Sequence, residues 1–380
     1  MNIRVIASPQ QGHFMTKDEA VMFAGHSAGV CYMKDDIDTL FNEPEEKTIK
    51  RANGTLGSGH HSVFGHTKYI FSLEGIPKII AMVLNSMQNM NTSEKSARYT
   101  RMATDSEEKA IYDKWIEIFK ILIKMKYRSF DDKRILKLAQ ENARYVISIF
   151  TPATSMLYTT DLREWNYILY WMNKYIEKTP DDEFTSKVKA AFKEFLEAVP
   201  DLSVEGLVPR DEDLGIFIFA KRDRKEEFGE NYSVNYLASF AQLAQAHRHR
   251  KITYEFSFPE TQVFYVPPII RDTVYEEEWL GDISFLADNY PQGMLIKVNE
   301  RGTIESFVLK CSDRLCGAAQ LEIMNQTRDT MQKYLKAVRG DKELFEFLLP
   351  YSKGPRCTFP NYKCTSPCIF GGKDAFNRLV

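Results

Sequence analysis

Residues 236–258 read YLASFAQLAQAHRHRKITYEFSF and contain the strongest local pattern in the chain. Alanines and larger apolar residues interleave at helical spacing through the first half of this stretch, which predicts a closely packed helix. The helix is followed directly by His247, Arg248, His249 and Arg250. Such a group at a helix C-terminus is favoured by the helix dipole and can bind a polyanion such as a nucleotide phosphate. A solvated basic helix end is an equally good interpretation from composition alone.

Composition limits the class of protein. A chain of 380 residues with 44% hydrophobic residues is long enough for two globular units with a core in each. The net charge of −2 gives no overall reason to bind nucleic acid or a membrane surface, so an anion site must come from a local group of cations. The N-terminus has no signal-peptide pattern, and no apolar run reaches the roughly 18 residues of a membrane helix. We therefore expect a cytoplasmic protein that binds neither nucleic acid nor membranes.

Three histidines, His60, His61 and His66, precede an alternating run that predicts a strand with one buried face. A metal site is one interpretation of this cluster. The neighbouring residues are hydroxyl or apolar rather than the carboxylates or cysteines that usually complete such a site. We therefore predict no metal at these histidines.

The C-terminal tail is rich in proline and glycine and carries Cys357, Cys364 and Cys368. Their spacing matches no standard pair of metal ligands, and no fourth ligand is evident nearby. Thiols in a loop are the favoured interpretation, and a zinc or iron–sulfur site is the alternative.

Two distant segments, Gln245 followed by Arg248-His249-Arg250 and residues 94–99, EKSARY, carry the main resemblance to a known family. The first is similar to the R-H-R segment of the flavin-dependent thymidylate synthases (ThyX). The second matches the nucleotide loop E-x-S-x-R-Y of the same family. The first half of the chain thus contains the loop, whereas at its own R-H-R position it has Ser86-Met87-Gln88. The second half has the triplet, but Phe258-Pro259-Glu260 replaces the loop.

Further segments extend the resemblance over nearly the whole chain. Residues 59–66, GHHSVFGH, are similar to a flavin-contacting segment of the family, and Arg163 lies where a flavin-contacting arginine is found. Residues 298–301, VNER, resemble the V-N-x-R of the same region, and residues 314–323 match R-x4-A-Q-x-E-I. Arg301 and Arg314 are farther apart than is usual in the family, which indicates an insertion between them.

The order of segments in each half predicts an α+β fold in two tandem copies of the family domain, related by a pseudo-twofold axis. The copies are expected at 1–205 and 206–380, and the second ends in the cysteine-containing tail. In the family, one subunit of a homotetramer gives the nucleotide loop and its neighbour gives the R-H-R segment. A fused chain is therefore expected to form one composite site and to assemble as a homodimer that mimics the tetramer.

The resemblance implies a methyltransferase that converts dUMP to dTMP with 5,10-methylenetetrahydrofolate as the one-carbon donor, FAD as the bound cofactor and NADPH as the reductant. The alternatives are a relative with different one-carbon chemistry on a pyrimidine nucleotide, and a non-catalytic flavin- or nucleotide-binding protein. The catalytic residues that the resemblance implies are Arg314, Arg248 and Ser96. The residues implied for dUMP are Glu94, Ser96, Ala97, Arg98, Gln245, Arg248 and Arg314. The residues implied for the flavin are His60, Ser62, Arg163, Arg248, His249, Arg250, Asn299 and Arg301.

Overall fold

The computed structural model describes residues 1–7, 15–32, 34, 37–96, 100–210, 218–365 and 368–380. The chain forms two compact units, and each combines helices with an antiparallel sheet. The first unit consists of Met1–Lys95 and Pro152–Ile216, and the second of Ser96–Thr151 and Phe217–Val380. The predicted mixture of helix and sheet is therefore present in both.

The sheets share one connectivity. Within the described residues, the strands are β1 (Asn2–Ala7), β2 (Lys68–Ile76), β3 (Met90–Glu94), β4 (Thr154–Asp161), β5 (Glu227–Phe228), β6 (Asn231–Ser239), β7 (Thr253–Ser257) and β8 (Leu295–Thr303). The first unit has the order β1-β2-β4-β3 and the second has β5-β6-β8-β7, and all neighbours are antiparallel. In both sheets the third strand in sequence lies at the edge, beside the fourth.

Several of the helices begin at a side chain that caps their exposed N–H groups. In the described part of the chain they are α1 (Lys17–Tyr32), α2 (Ile37–Phe41), α3 (Glu45–Ser58), α4 (Lys78–Ser86), α5 (Ser106–Lys126), α6 (Asp132–Ala143), α7 (Leu162–Lys178), α8 (Glu183–Ala198), α9 (Phe240–Ala246), α10 (Val274–Phe285), α11 (Ile304–Arg314), α12 (Leu321–Ala337) and α13 (Lys342–Leu348). Asp161 caps α7 by accepting from the backbone N–H of Glu164 at 2.8 Å, and Thr303 caps α11 in the same way. Helix α7 therefore starts directly after β4, and α11 starts directly after β8.

Aromatic contacts hold the core of the first unit. Phe71 of β2 stacks on Trp165 of α7 with 4.0 Å between ring centroids, and Trp165 also contacts Phe195 of α8 at 6.1 Å. All three side chains are fully buried. Burial of such rings contributes roughly 2–3 kcal/mol each, which fixes α7 and α8 on the sheet.

The second unit includes α5 and α6, although their sequence lies in the half predicted as 1–205. Trp115 of α5 packs against Trp279 of α10 at 4.8 Å, and its Nε1 donates to Asp282 at 2.7 Å. Burial of these two indoles joins α5 to the second sheet's unit. The predicted boundary near residue 205 is close to the last junction between the units, but the chain also passes from one unit to the other after Lys95 and after Thr151.

The structure corrects the helix predicted over the first half of residues 236–258. Strand β6 continues to Ser239, so Leu237 and Ala238 are strand residues, and α9 begins only at Phe240. The Ser239 side chain accepts from the backbone N–H of Gln242 at 3.0 Å and thereby starts the helix. The helix still ends immediately before the cationic segment.

Candidate functional site

The R-H-R segment follows α9 and precedes β7. Arg248 and Arg250 are exposed, whereas His249 is buried. Arg314, the last residue of α11, donates from Nε to His249 Nε2 at 2.7 Å and from Nη2 to the Gln245 carbonyl at 3.2 Å. The structure therefore brings together Gln245, His249 and Arg314, which the sequence analysis had assigned to one site.

His249 is held neutral. Its burial, reinforced by the nearby cations Arg314 and Lys310, lowers its pKa to about 2. Because Nε2 accepts the hydrogen bond from Arg314, the proton resides on Nδ1, which lies 3.8 Å from an Asp313 carboxylate oxygen. The imidazole thus acts as a fixed acceptor that orients the Arg314 guanidinium.

A buried ion pair lies one helical turn before Arg314. Lys310 Nζ is 2.6 Å from Glu300 Oε2, and both side chains are fully buried. Glu300 also accepts from the hydroxyls of Tyr232 at 2.7 Å and Tyr236 at 2.6 Å. Burial lowers the pKa of Lys310 and the Glu300 carboxylate opposes that shift. This network fixes α11 to β6 and β8, and so fixes the helix end that carries Arg314.

Arg144 is a candidate residue that the sequence analysis missed. It is 6% exposed, and its Nε and Nη2 find no hydrogen-bond partner among the described residues. An unsatisfied buried guanidinium is costly, and a bound anion would satisfy it. The only available signal was an arginine directly before the mostly apolar run 145–150.

The residues beside Arg144 include part of the predicted signature 314–323. Gln320 donates to the Tyr145 hydroxyl, which in turn donates to Glu322 Oε2 at 2.9 Å. Glu322 also accepts from the Ser239 hydroxyl at 2.6 Å, and burial raises its pKa. Gln320 Oε1 is buried without a partner among the described residues. The start of α12 therefore joins a buried polar cluster with unused hydrogen-bonding capacity.

In the first unit, the segment similar to a flavin contact lies beside the start of α7. His60 precedes a single 3₁₀ turn over His61–Gly65, and Ser62 within it is exposed. A Cβ on Gly65 would lie 3.8 Å from the Asp161 carboxyl carbon and 3.9 Å from the Arg163 guanidinium carbon. Arg163 is the second residue of α7, and its Nε is buried without a hydrogen-bond partner in the described structure.

Asn299 and Arg301 lie on β8 and not in a helix. Arg301 Nη2 donates to Glu255 at 2.6 Å, while its Nη1 is buried without a partner in the described chain. Asn299 donates to the Ser233 hydroxyl at 3.0 Å. Since α11 starts after Thr303, the position that corresponds to Arg163 of α7 is Glu305. Arg163 and Arg301 therefore do not occupy equivalent positions relative to these two helices.

The nucleotide loop is divided between the units. Glu94 ends β3 of the first unit, where its carboxylate lies 2.5 Å from Lys78 Nζ and 3.2 Å from Asn85 Nδ2. Ser96 is the first residue of the second unit, which also contains the R-H-R segment. Ala97 and Arg98 lie outside the described residues. Glu94 is thus engaged by its own unit, and Ser96 belongs to the same unit as Arg248.

No group of three or more His, Cys, Asp or Glu side chains suited to a metal ion occurs in the described part of the chain. The six cysteines form no disulfide within those residues. The described helices are all too short or too polar to cross a membrane.

The family model for the thymidylate synthase complementing protein (Thy1) matches residues 13–201. The chain belongs to this family. The matched region of this Thy1-family chain includes the nucleotide loop, the histidine segment and Arg163, whereas the R-H-R segment and Arg314 lie beyond it.

Two crystal structures of the flavin-dependent thymidylate synthase ThyX from Helicobacter pylori, both with FAD and dUMP, are similar to about half of the chain. One is 14% identical with a TM-score of 0.33, over 53% of this chain and 94% of that chain. The other is 15% identical with a TM-score of 0.33, over 53% of this chain and 95% of that chain. No curated protein was found to match the chain.

Proposed function

We propose that this chain is a flavin-dependent thymidylate synthase that converts dUMP to dTMP with methylenetetrahydrofolate as the one-carbon donor. The observation that carries the proposal is the contact between Arg314 and neutral His249, which presents an oriented guanidinium beside the R-H-R segment of a Thy1-family chain. The intact E-x-S-x-R-Y loop in the matched region supports the same conclusion.

The nucleotide phosphate is bound by cations of the loop and the triplet. Arg98 and Arg248 would bind it through charge-assisted hydrogen bonds, which are roughly twice as strong as neutral ones, and Ser96 would add a hydroxyl donor. Ser96 and Arg248 belong to the same compact unit, which supports one composite site in each chain. Arg144, with its unsatisfied buried nitrogens, adds a further donor for an anionic part of the substrate.

Arg314 would stabilise the negative charge that develops on the pyrimidine ring during one-carbon transfer. An oriented donor costs no reorganisation at the moment of reaction, and His249 supplies that orientation. A cysteine nucleophile is not required by this route. Cys311 on α11 is fully buried, and burial raises the pKa of its thiol, which disfavours the thiolate.

Two arginines have hydrogen-bonding capacity that is consistent with a bound FAD. Arg163 and Arg301 each retain a buried nitrogen without a partner in the described chain, as expected for hydrogen-bond donors to a ligand. When bound, FAD reduced by NADPH would supply the hydride that such a reaction needs to convert the transferred methylene to a methyl group. His60, Ser62 and Asn299 would contact the flavin, and exposed Arg250 would contact the flavin or folate side.

Tritium release tests the proposal. The purified protein should have a flavin absorbance spectrum and release tritium from C5-labelled dUMP when methylenetetrahydrofolate and NADPH are present. Arg314→Ala should lower the rate about 100- to 1000-fold, as removal of one electrostatic donor does in other enzymes. Lys178→Ala, at the end of α7 in the first unit, is the control and should keep the full rate. Flavin binding without tritium release would favour a non-catalytic relative, and release without dTMP formation would favour different one-carbon chemistry.

We also propose that the two halves are tandem copies of one domain and that the chain assembles as a homodimer. The shared strand order of the two sheets supports the duplication. Only the first-half loop combined with the second-half triplet has enough cations for a dianionic phosphate. Isothermal titration of the flavin-loaded protein should therefore give one dUMP per chain, and two equivalent nucleotides per chain would contradict the composite site.

A further inference from the structure

The connection from α11 to α12 lies between two residues of the candidate site. It consists of residues 315–320 and directly follows Arg314, whose Nε donates to His249 Nε2 at 2.7 Å. Its last residue, Gln320, donates to the buried Tyr145 hydroxyl. Because the connection is short, its conformation determines where the side chains at both of its ends lie.

The C-terminal tail binds this connection through its backbone carbonyls. The Arg356 backbone N–H donates to the Leu315 carbonyl at 2.6 Å. The Arg378 guanidinium donates from Nη1 to the Gly317 carbonyl at 2.8 Å and from Nη2 to the Ala319 carbonyl at 2.5 Å. Every second carbonyl from Leu315 to Ala319 therefore accepts from a tail arginine. Hydrogen bonds from a guanidinium are charge-assisted and stronger than neutral ones.

The last turn of α11 is bound by the same tail. A helix leaves its last four carbonyls without partners inside the helix, and the Ser312 carbonyl in this turn accepts from Arg356 Nη1 at 3.2 Å. A cation at a helix C-terminus is also favoured by the helix dipole. Loss of the tail would therefore loosen the turn that carries Arg314.

Arg378 is itself fixed in the second unit. Its side chain is 6% exposed, and its guanidinium lies 4.9 Å from the centroid of the Phe370 ring. Phe370 contacts Phe130 at 5.6 Å and Tyr127 at 5.8 Å. The Leu379 backbone N–H donates to the Tyr127 hydroxyl at 2.9 Å. The end of the tail is thus anchored to the turn between α5 and α6.

The tail also packs closely against the connection at Gly317. A Cβ at this position would lie 3.2 Å from Cys368 Sγ and 3.3 Å from Phe370 Cδ2, which is tighter than ordinary van der Waals contact. The backbone of the connection therefore approaches the tail more closely than a residue with a side chain allows. Packing and hydrogen bonds act at the same place.

We propose that Arg378 is a positioning residue that holds the α11–α12 connection in place and thereby keeps the Arg314 guanidinium against His249. An oriented donor is effective because its direction is set before the reaction, and a frayed helix end would lose that direction. The effect on catalysis rests on the proposed function, whereas the effect on the contact between Arg314 and His249 does not.

Nitrogen NMR of the histidine rings in the full chain tests the contact without any substrate, and His249→Asn identifies the His249 signal. Arg378→Met removes both donors and keeps the apolar part of the side chain. It should shift the Nε2 signal of His249 in the same direction as Arg314→Ala does. Arg339→Met, which alters an exposed arginine after α12, is the matched control and should leave the signal unchanged. An unshifted His249 signal in Arg378→Met would overturn the proposal.

Steady-state tritium release tests the consequence for the reaction. Arg378→Met should lower kcat about 10- to 100-fold, because a small misplacement of a positioned group has an effect of this size. The KM for dUMP should stay nearly unchanged, since the cations assigned to the phosphate are intact. Arg378→Met combined with Arg314→Ala should be no slower than Arg314→Ala alone, because Arg378 acts through Arg314. Losses that multiply in the double variant would overturn the proposal.

Arg378→Lys provides a second variant in case Arg378→Met does not fold. A lysine keeps the charge but lacks the planar fork that bonds to both carbonyls, so kcat and the His249 signal should lie between those of the unchanged protein and Arg378→Met. Values equal to those of the unchanged protein would overturn the proposal. If the unchanged protein releases no tritium while the His249 signal responds to Arg378→Met, the proposed function is wrong and the positioning role is supported.

Discussion

The two sheets use the same strand order, yet they differ at the connection between the helix after the second strand and the edge strand. In the second unit this connection carries Arg248-His249-Arg250, and in the first unit the same place carries Ser86-Met87-Gln88. In the first unit, the backbone N–H of Gln88 in this connection donates to the buried Glu164 carboxyl group of the same unit. The Glu164 carboxyl group at this place would disfavour a bound phosphate, whereas the second unit offers exposed guanidinium groups. Two sheets with the same strand order thus carry different side chains at the same connection.

The two units also differ in how deeply the ion pairs compared here are buried. This difference gives the largest expected effect on stability. Lys310→Met would leave Glu300 buried without its cation, and should lower the free energy of unfolding by about 3–5 kcal/mol. In the first unit, Lys68 pairs with Asp161 at 3.0 Å but is 44% exposed, so Lys68→Met should cost at most about 1 kcal/mol. Urea denaturation of the two variants checks this, and equal losses would contradict the difference in burial.

The next effect concerns the nucleotide. Arg98→Ala and Arg248→Ala should each weaken dUMP binding by about 2–5 kcal/mol, or roughly 30- to 4000-fold, because each removes a cation from one phosphate. Gln88→Ala, at the first-unit connection, is the matched control and should leave the affinity unchanged. Isothermal titration measures all three. An unchanged affinity in either arginine variant would mean that its half of the chain does not contribute to the site.

A smaller effect follows from the pKa of His249, which burial lowers to about 2. A histidine in an unfolded chain has a pKa of about 6.5. Below that pH, His249 is therefore protonated in the unfolded state but stays neutral in the folded state. Stability is therefore fully present above pH of about 6.5 and falls by about 1.4 kcal/mol per pH unit as the pH decreases towards 2. His249→Asn should remove this part of the acid sensitivity.

Urea denaturation at pH 7, 6 and 5 measures that slope for the variant and the unchanged chain. His66→Asn, which alters an exposed histidine of the first unit, is the control and should follow the unchanged chain. Identical slopes for the His249 and His66 variants would show that His249 becomes protonated in the folded protein.

Part of this fold follows from local pattern. The alternation before residue 76 predicts β2, and apolar residues at three- and four-residue spacing predict α5 and α6, because burial of one face imposes those periods. The start of α9 does not follow from spacing, because Ala238 suits either a strand or a helix, and only the cap at Ser239 decides between them. Local pattern therefore located the elements better than it located their ends.

Part of the arrangement of the candidate residues follows from the resemblance, although their roles in binding remain predictions. The residues Gln245, His249 and Arg314 were assigned together by resemblance, and they meet in the structure. Arg301 illustrates the limit, because a sequence match of four letters placed it opposite Arg163, whereas the helix start places Glu305 there. Arg144 illustrates a second limit of sequence-based prediction. Its burial without a hydrogen-bond partner among the described residues results from tertiary packing, which local spacing does not encode.

The passage of the chain between units after Lys95, Thr151 and Ile216 constrains how the protein can be made and divided. A ribosome releases β1 to β3 long before β4 exists, so the central position beside β2 and β3 stays empty while α5 and α6 are synthesised. Trp115 of α5 is in turn left uncovered until Trp279 has been synthesised. Cutting the chain at residue 205 would therefore leave one fragment with an uncovered helical hairpin and the other without it, and neither fragment should fold alone as the intact chain does.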